Sequence, residues 1–116
     1  ATWLLPRLAG VTRAKRMLLL GEKVSGSEAA EWGLIHQAVS PDDVGAAADE
    51  LVARLAAGPT VAIGLAKQAI SYASQATLTQ SMNHELASLE LSCRTKDFKE
   101  GLAAFRERRT PDFQGR

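Results

Sequence analysis

The amino-acid sequence predicts an all-α fold, and three features of the sequence lead to this prediction. Apolar residues recur at intervals of three and four positions over most of the chain, which is the spacing of amphipathic helices. Glycine follows four of these stretches, where a helix commonly ends: Gly10, Gly21, Gly33 and Gly58. Hydroxyl residues suited to cap a helix N-terminus precede four of them: Ser25, Ser40, Thr77 and Thr95.

The first third of the chain is predicted to contain three short helices, near residues 2–9, 12–20 and 26–32. The third begins with a capping box, in which the Ser25 hydroxyl accepts from the Glu28 amide and the Glu28 carboxylate accepts from the Ser25 amide. Residues 34–39 are the only segment with strand character, and this segment is short.

The remainder is predicted to form four longer helices, near residues 42–57, 60–74, 78–93 and 96–108. Three of them have a start signal: Ser40 precedes a proline and two acids, Thr77 pairs with Gln80 in a second capping box, and Thr95 caps the last helix. Together the seven helices predict an orthogonal helical bundle.

Composition excludes several classes of protein. The 116 residues are 46% apolar and 23% charged, so the chain has enough apolar surface to fold and is not disordered. The longest apolar run, residues 17–20, is too short to span a bilayer, and no leader peptide opens the chain, which predicts no membrane contact. A single cysteine, Cys93, predicts a cytoplasmic location.

Charge is distributed unevenly although the net charge is only +1. Residues 1–23 carry five Lys/Arg and one acid, and residues 24–93 carry two Lys/Arg and eight acids. Residues 94–116 carry seven Lys/Arg and four acids. The two basic ends could serve an anionic ligand or attract the acidic middle. A nucleic-acid partner is not predicted, because aromatic residues are only 5% of the chain and acids interleave with the bases.

A self-contained active site is not predicted. His36 and His84 have no second ligand at metal spacing, and Cys93 ends an apolar stripe as a small hydrophobe would. Glu85 and Glu90 are five residues apart on one helix, so their carboxylates do not face a common site. The chain is therefore predicted to hold no catalytic residue and no metal.

The C-terminal segment, residues 97–115, sets aromatic rings beside guanidinium groups. This combination suits a phosphorylated ligand with a flat adenine. Taken alone, however, the pattern favours a simpler interpretation, in which Phe98 and Phe105 anchor the core and the arginines form a solvated face.

The same segment resembles the C-terminal signature of the enoyl-CoA hydratase/isomerase (crotonase) family, and the matching residues are Asp97, Glu100, Gly101, Ala104, Phe105, Glu107, Arg109, Pro111, Phe113 and Gly115. Residues 5–10, with the sequence Leu-Pro-Arg-Leu-Ala-Gly, are similar to a second stretch of that family, and so are residues 20–35. The resemblance thus spans the whole chain in the right order. Within the family, residues 2–7, 31–33 and 67–70 most resemble the 1,2-epoxyphenylacetyl-CoA isomerase branch.

The resemblance implies that this chain is the C-terminal helical part of a crotonase-type α/β enzyme. Residues 1–40 would end the core region, and residues 41–116 would form a helical domain for oligomerisation and for covering the site. In that family the oxyanion hole and the proton-transferring carboxylates lie in the N-terminal part. We therefore expect the coding sequence to continue upstream of Ala1 and the 116-residue chain alone to be inactive.

The resemblance also implies a ligand and site residues. The substrate would be an acyl-CoA thioester, with coenzyme A as part of the substrate and no separate cofactor. Phe105 would pack near the coenzyme A, Arg108 would approach its phosphates or adenine, and Trp3 would border the acyl pocket. The intact protein would be a homo-oligomer, a trimer or hexamer. The alternative is a free-standing helical module that binds other proteins and no ligand.

Overall fold

The computed structural model describes residues 1–116, and every regular element in it is a helix, as the sequence predicts. The helices are α1 (Leu4–Ala9), α2 (Val11–Leu20), α3 (Gly26–Glu31), α4 (Val44–Ala56), α5 (Thr60–Ala73), α6 (Leu78–Cys93) and α7 (Lys96–Glu107). A 3-10 turn, Pro41–Asp43, leads directly into α4. All seven predicted helices are present, and their ends lie within two residues of the predicted ones.

The predicted caps form at three of the four helix starts. Ser25 and Glu28 make both bonds of a capping box, and Thr77 and Gln80 make the second one. The Thr95 hydroxyl accepts a hydrogen bond of 3.1 Å from the backbone amide of Phe98, at the start of α7. Each of these caps satisfies a backbone amide that the helix itself leaves without an acceptor.

The prediction for Ser40 is wrong in its detail. Its hydroxyl donates a hydrogen bond of 2.6 Å to the Asp43 carboxylate and does not accept one from the backbone. The helical segment accordingly begins as a single 3-10 turn, closed by a bond of 3.0 Å from the Asp43 amide to the Ser40 carbonyl.

The strand character of residues 34–39 is not realised. The amides of Leu34 and Ile35 donate to the carbonyl of Ala29, at 2.8 and 3.4 Å, and so close the C-terminus of α3. Residues 34–36 form a bend and residues 37–40 have no regular structure. The chain offers no strand with which this segment could pair, so its backbone serves the preceding helix.

The chain divides into two compact units, Ala1–Ala47 and Ala48–Arg116. Within the first unit α1 packs against α2; within the second, α5 packs against α6, and α6 contacts α7. Residues 48–56 of α4 also belong to the second unit, but they do not pack against α5, α6 or α7. The proposed division of roles between residues 1–40 and 41–116 stays a prediction.

Very little of the apolar surface is buried. Only Ala9, Ala14 and Ala104 are buried among the apolar residues, and no large side chain is fully buried. Long apolar side chains on α5 and α6 remain open, with Ile70 73% and Leu78 77% exposed. The helices therefore have apolar faces that this chain does not cover by itself. None of the helices combines the length and apolar character needed to cross a membrane.

Candidate functional site

The C-terminus of α7 ends in a Schellman motif with an arginine at its turning point. The Arg109 amide donates to the Ala104 carbonyl at 3.1 Å, and the Arg108 amide donates to the Phe105 carbonyl at 3.4 Å. Arg108 itself has φ 56° and ψ 39°, in the left-handed region. Glycine is the usual residue at this position, because a side chain there costs about 1 kcal/mol or more.

Arg108 is the only residue other than glycine with positive φ in this chain. Its side chain is exposed and makes no hydrogen bond or ion pair. Phe105 precedes it by three residues and lies in the last turn of α7. The Phe105 ring is 84% exposed, which makes it the most exposed large apolar residue of the chain. An open aromatic ring and an unpaired guanidinium group thus stand three residues apart in the chain, at the end of α7.

The interpretation of Phe105 as a core anchor is therefore wrong. Phe98, two turns earlier on the same face of α7, is more covered, at 37% exposure. The prediction that Phe105 and Arg108 contact a ligand stays a prediction, and the geometry leaves both side chains free to make such contacts.

A bidentate ion pair holds the segment that follows Arg108. Both terminal nitrogens of Arg109 donate to the carboxylate of Glu100, at 2.5 and 2.9 Å, and the Asp112 amide donates to the same carboxylate at 2.8 Å. The Arg109 hydrogen bonds, followed by the Asp112 amide, lower the pKa of Glu100 from 4.5 to about 2. The Nε of Arg109 donates to Glu107 at 2.6 Å, and these carboxylates raise the pKa of Arg109.

A second carboxylate, Asp97, holds the last residues of the chain. It is 3% exposed, and its two oxygens accept hydrogen bonds of 2.8 Å from the amides of Gln114 and Gly115. The Asp97 amide donates to the carbonyl of Arg116 at 3.0 Å. Residues 109–116, which we call the C-terminal strap, are thereby fixed along α7.

The glycine at position 115 permits the strap to lie where it does. A Cβ at Gly115, which has φ +70°, would stand 2.6 Å from Oγ1 of Thr60. A Cβ at Gly101 would stand 3.6 Å from the ring of Phe113, so the ring packs close to the α7 backbone. Beneath the strap is a small apolar cavity of about 240 Å³, lined by Phe98, Leu102 and Phe113 among others.

The other candidate residues each have local contacts of their own. Trp3 lies in the first unit, 46% exposed, with the Arg7 guanidinium 4.0 Å from its ring centroid. His84 stacks on Tyr72, with ring centroids 4.6 Å apart, and Glu90 pairs with Arg94 on the surface of α6. No group of His, Cys, Asp and Glu side chains is arranged to hold a metal ion.

Sequence reasoning missed the strap and also a groove between α5 and α6. The groove has a volume of about 380 Å³ and is lined mainly by small and apolar residues, such as Ala66, Ala69 and Leu89. The available signal for the strap was the spacing of two acids, Asp97 and Glu100, on one face of the last helix before an arginine.

Comparison with known proteins identifies the class to which this fold and this segment belong. Residues 1–116 match the sequence profile of the Enoyl-CoA hydratase/isomerase family, over the whole chain. The chain belongs to the enoyl-CoA hydratase/isomerase family, as the signature in residues 97–115 indicates.

Individual relatives refine the comparison. The chain is 42% identical over 115 residues to the 1,2-epoxyphenylacetyl-CoA isomerase of Escherichia coli (strain K12), covering 99% of this chain and 44% of that protein. It is 36% identical over 116 residues to the human mitochondrial enoyl-CoA hydratase domain-containing protein 2, covering 97% and 40%. The chain thus spans less than half the length of the curated relatives it matches.

Solved structures show the same relationship. An enoyl-CoA hydratase from Bacillus anthracis superposes with a TM-score of 0.86 and 39% identity, over 97% of this chain and 43% of that one. A subunit from Geobacillus kaustophilus HTA426 gives a TM-score of 0.90 at 37% identity, over 97% and 44%. The helices described above are therefore a helical part of the crotonase fold.

Proposed function

We propose that this chain is the C-terminal helical part of an enzyme that acts on acyl-CoA thioesters, with an activity like that of 1,2-epoxyphenylacetyl-CoA isomerase. The observation that carries the proposal is the 42% identity to that isomerase over 99% of the chain. An enoyl-CoA hydratase activity is the second candidate, favoured by the structural similarity to enoyl-CoA hydratases.

The reaction would pass through an enolate of the thioester, whose negative charge an oxyanion hole stabilises. We assign the oxyanion hole and the proton-transferring carboxylates to the part of the enzyme that corresponds to the unmatched 56% of the isomerase, since the chain covers 44% of it. The chain alone is then expected to be inactive, and none of its own residues is assigned a catalytic role.

The contribution of this chain is to bind coenzyme A. The Arg108 guanidinium would bind a phosphate group of coenzyme A, for which its planar set of donors is well suited. The Phe105 ring, 84% exposed, would pack against the adenine. Trp3 would border the acyl pocket, as the family resemblance implies. Coenzyme A would enter as part of the substrate, without a separate cofactor.

The uncovered helix faces support a further part of the proposal, that the intact protein is a trimeric or hexameric homo-oligomer. Ile70, Leu78 and Leu86 are all more than 60% exposed in this chain. Exposed apolar area of this kind marks protein interaction surfaces. Because the chain has a single cysteine, we assign the enzyme to the reducing environment of the cytoplasm.

The test is steady-state kinetics with 1,2-epoxyphenylacetyl-CoA and, for the second candidate activity, with crotonyl-CoA, using the protein at its full natural length. Arg108→Glu is expected to raise KM about ten-fold and to change kcat much less, because it removes a charge-assisted phosphate contact. Arg106→Glu is the matched control: it makes the same change of charge on another face of α7, and KM should stay within about two-fold.

Two results would contradict the proposal. An unchanged KM in Arg108→Glu would show that Arg108 does not contact a phosphate group of coenzyme A. A protein of full natural length that gives no calorimetric response to coenzyme A would instead support a free-standing helical module that binds other proteins.

A further inference from the structure

The conformation of Arg108 needs an explanation, because nothing in the Arg108 side chain stabilises it. Left-handed backbone costs a residue with a Cβ about 1–2 kcal/mol, and glycine would avoid this cost. Arg108 has φ 56°, and its side chain makes no local hydrogen bond. The conformation must therefore be imposed by the residues on either side.

The residues on the C-terminal side impose it through Glu100. The strap has to turn back along α7, because the Arg109 side chain and the Asp112 amide both reach a carboxylate that lies about two helical turns before Arg108. A chain that continued in right-handed helical conformation at Arg108 would run away from Glu100. The left-handed turn and the ion pair therefore depend on each other.

The direction of the Arg108 side chain follows from the same turn. The φ and ψ of Arg108 set the direction of its Cα–Cβ bond relative to α7, and Phe105 is part of the last turn of α7 that the Schellman bonds close. If the strap were released, Arg108 would be free to sample right-handed and extended backbone, which cost less. Its Cα–Cβ bond would then have no fixed direction relative to the last turn of α7.

We propose that Glu100 and Arg109 are positioning residues for coenzyme A: their ion pair holds Arg108 in the left-handed turn, and this presents Arg108 and Phe105 together to one ligand. The inference rests on the proposed function, since it presupposes that Arg108 contacts coenzyme A. In this arrangement Glu100 and Arg109 act through Arg108 and not by direct contact with the ligand, their charged groups being bound to each other.

The first experiment measures the dissociation constant of coenzyme A by calorimetry, with the protein at its full natural length. Glu100→Gln is expected to weaken binding about five-fold, because it removes the charge that holds Arg109. Glu90→Gln is the matched control: it makes the same change in the exposed ion pair with Arg94 on α6 and leaves the bonds of Glu100 and Arg109 intact, so binding should change less than about two-fold. Equal effects of the two variants, or no effect of Glu100→Gln, would overturn the inference.

The second experiment separates positioning from a general structural role. Glu100→Gln is introduced into an Arg108→Gln background, where there is no guanidinium left to position. The expected result is no further loss of coenzyme A affinity, whereas an equal loss in both backgrounds would overturn the inference. If Glu100→Gln does not fold, Arg109→Lys replaces it, because lysine keeps the charge and lacks the bidentate geometry.

The outcomes also distinguish the two proposals. If Arg108→Gln weakens binding and Glu100→Gln does not, the coenzyme A contact stands and the positioning role fails. If Arg108→Gln leaves the affinity unchanged, the proposed contact fails and the positioning role fails with it.

Discussion

The carboxylate of Asp97, in the first turn of α7, accepts a hydrogen bond of 2.8 Å from the backbone amide of Gly115, eighteen residues later in the chain. The second oxygen accepts an equally short bond from Gln114, and the carboxylate is almost completely removed from solvent. A buried carboxylate with two backbone donors is a strong, charge-assisted contact. It joins the start of the last helix to the end of the chain.

We therefore expect Asp97→Asn to destabilise the protein by about 1–3 kcal/mol. The substitution keeps the shape of the side chain, but the amide nitrogen that replaces one oxygen cannot accept a hydrogen bond from a backbone amide. Urea unfolding measures the difference. The control is Asp112→Asn, an exposed residue whose side chain makes no bond, and an equal loss in both variants would contradict this role of Asp97.

Acid should weaken the strap through Glu100. Arg109 holds the pKa of Glu100 at about 2 in the folded protein, against 4.5 ordinarily. A carboxyl whose pKa is lowered by folding adds stability above its unfolded pKa, and this contribution disappears as the pH falls from about 4.5 to about 2. The urea midpoints of the wild type and Glu100→Gln should therefore differ at about pH 6 and converge towards about pH 2. A difference that stays constant over this range would contradict the assignment.

Arg108→Gly should make the protein more stable and a poorer binder of coenzyme A. Glycine avoids the cost of the left-handed turn but loses more backbone entropy on folding. The free energy of unfolding should therefore rise by about 0.5–1 kcal/mol. Arg106→Gly, inside α7, should instead cost about 1 kcal/mol. Thermal unfolding and calorimetry with coenzyme A check the two effects. If Arg108→Gly is less stable than the wild type, the turn at Arg108 is not strained.

The features that sequence analysis predicts well are those determined by residues three or four positions apart. The capping boxes at Ser25 and Thr77 are of this kind, because donor and acceptor lie in the same turn, and both form as predicted. Amphipathic spacing likewise places the long helices to within two residues. Local rules of this kind need no knowledge of the tertiary structure.

The features that escape prediction depend on more distant partners or on what covers a surface. Glu100 meets Arg109 only because Arg108 takes a conformation that the sequence would assign to glycine. Phe105 continues an apolar stripe, which predicts burial, yet no other helix of the chain covers it. Its ring is therefore available to a ligand, and helical periodicity alone does not distinguish this outcome from a core position.

His84 provides a test that leaves the coenzyme A surface untouched. Its ring stacks on Tyr72 at an angle of 26°, and its Nε2 is buried without a hydrogen-bond partner. A buried polar atom without a partner costs about 1–3 kcal/mol. His84→Phe keeps an aromatic ring against Tyr72 and removes this atom, so it should raise the midpoint of thermal unfolding.

His84→Ala is the matched control for the stacking itself. It removes the same polar atom but also the ring contact between α5 and α6, so it should lower the unfolding midpoint relative to His84→Phe. Both variants should bind coenzyme A as the wild type does, because His84 lies on α6 and bonds neither α7 nor the strap. If His84→Phe is less stable than the wild type, Nε2 has a partner in the folded protein, and the most direct explanation is a donor supplied by a surface that packs over α5 and α6.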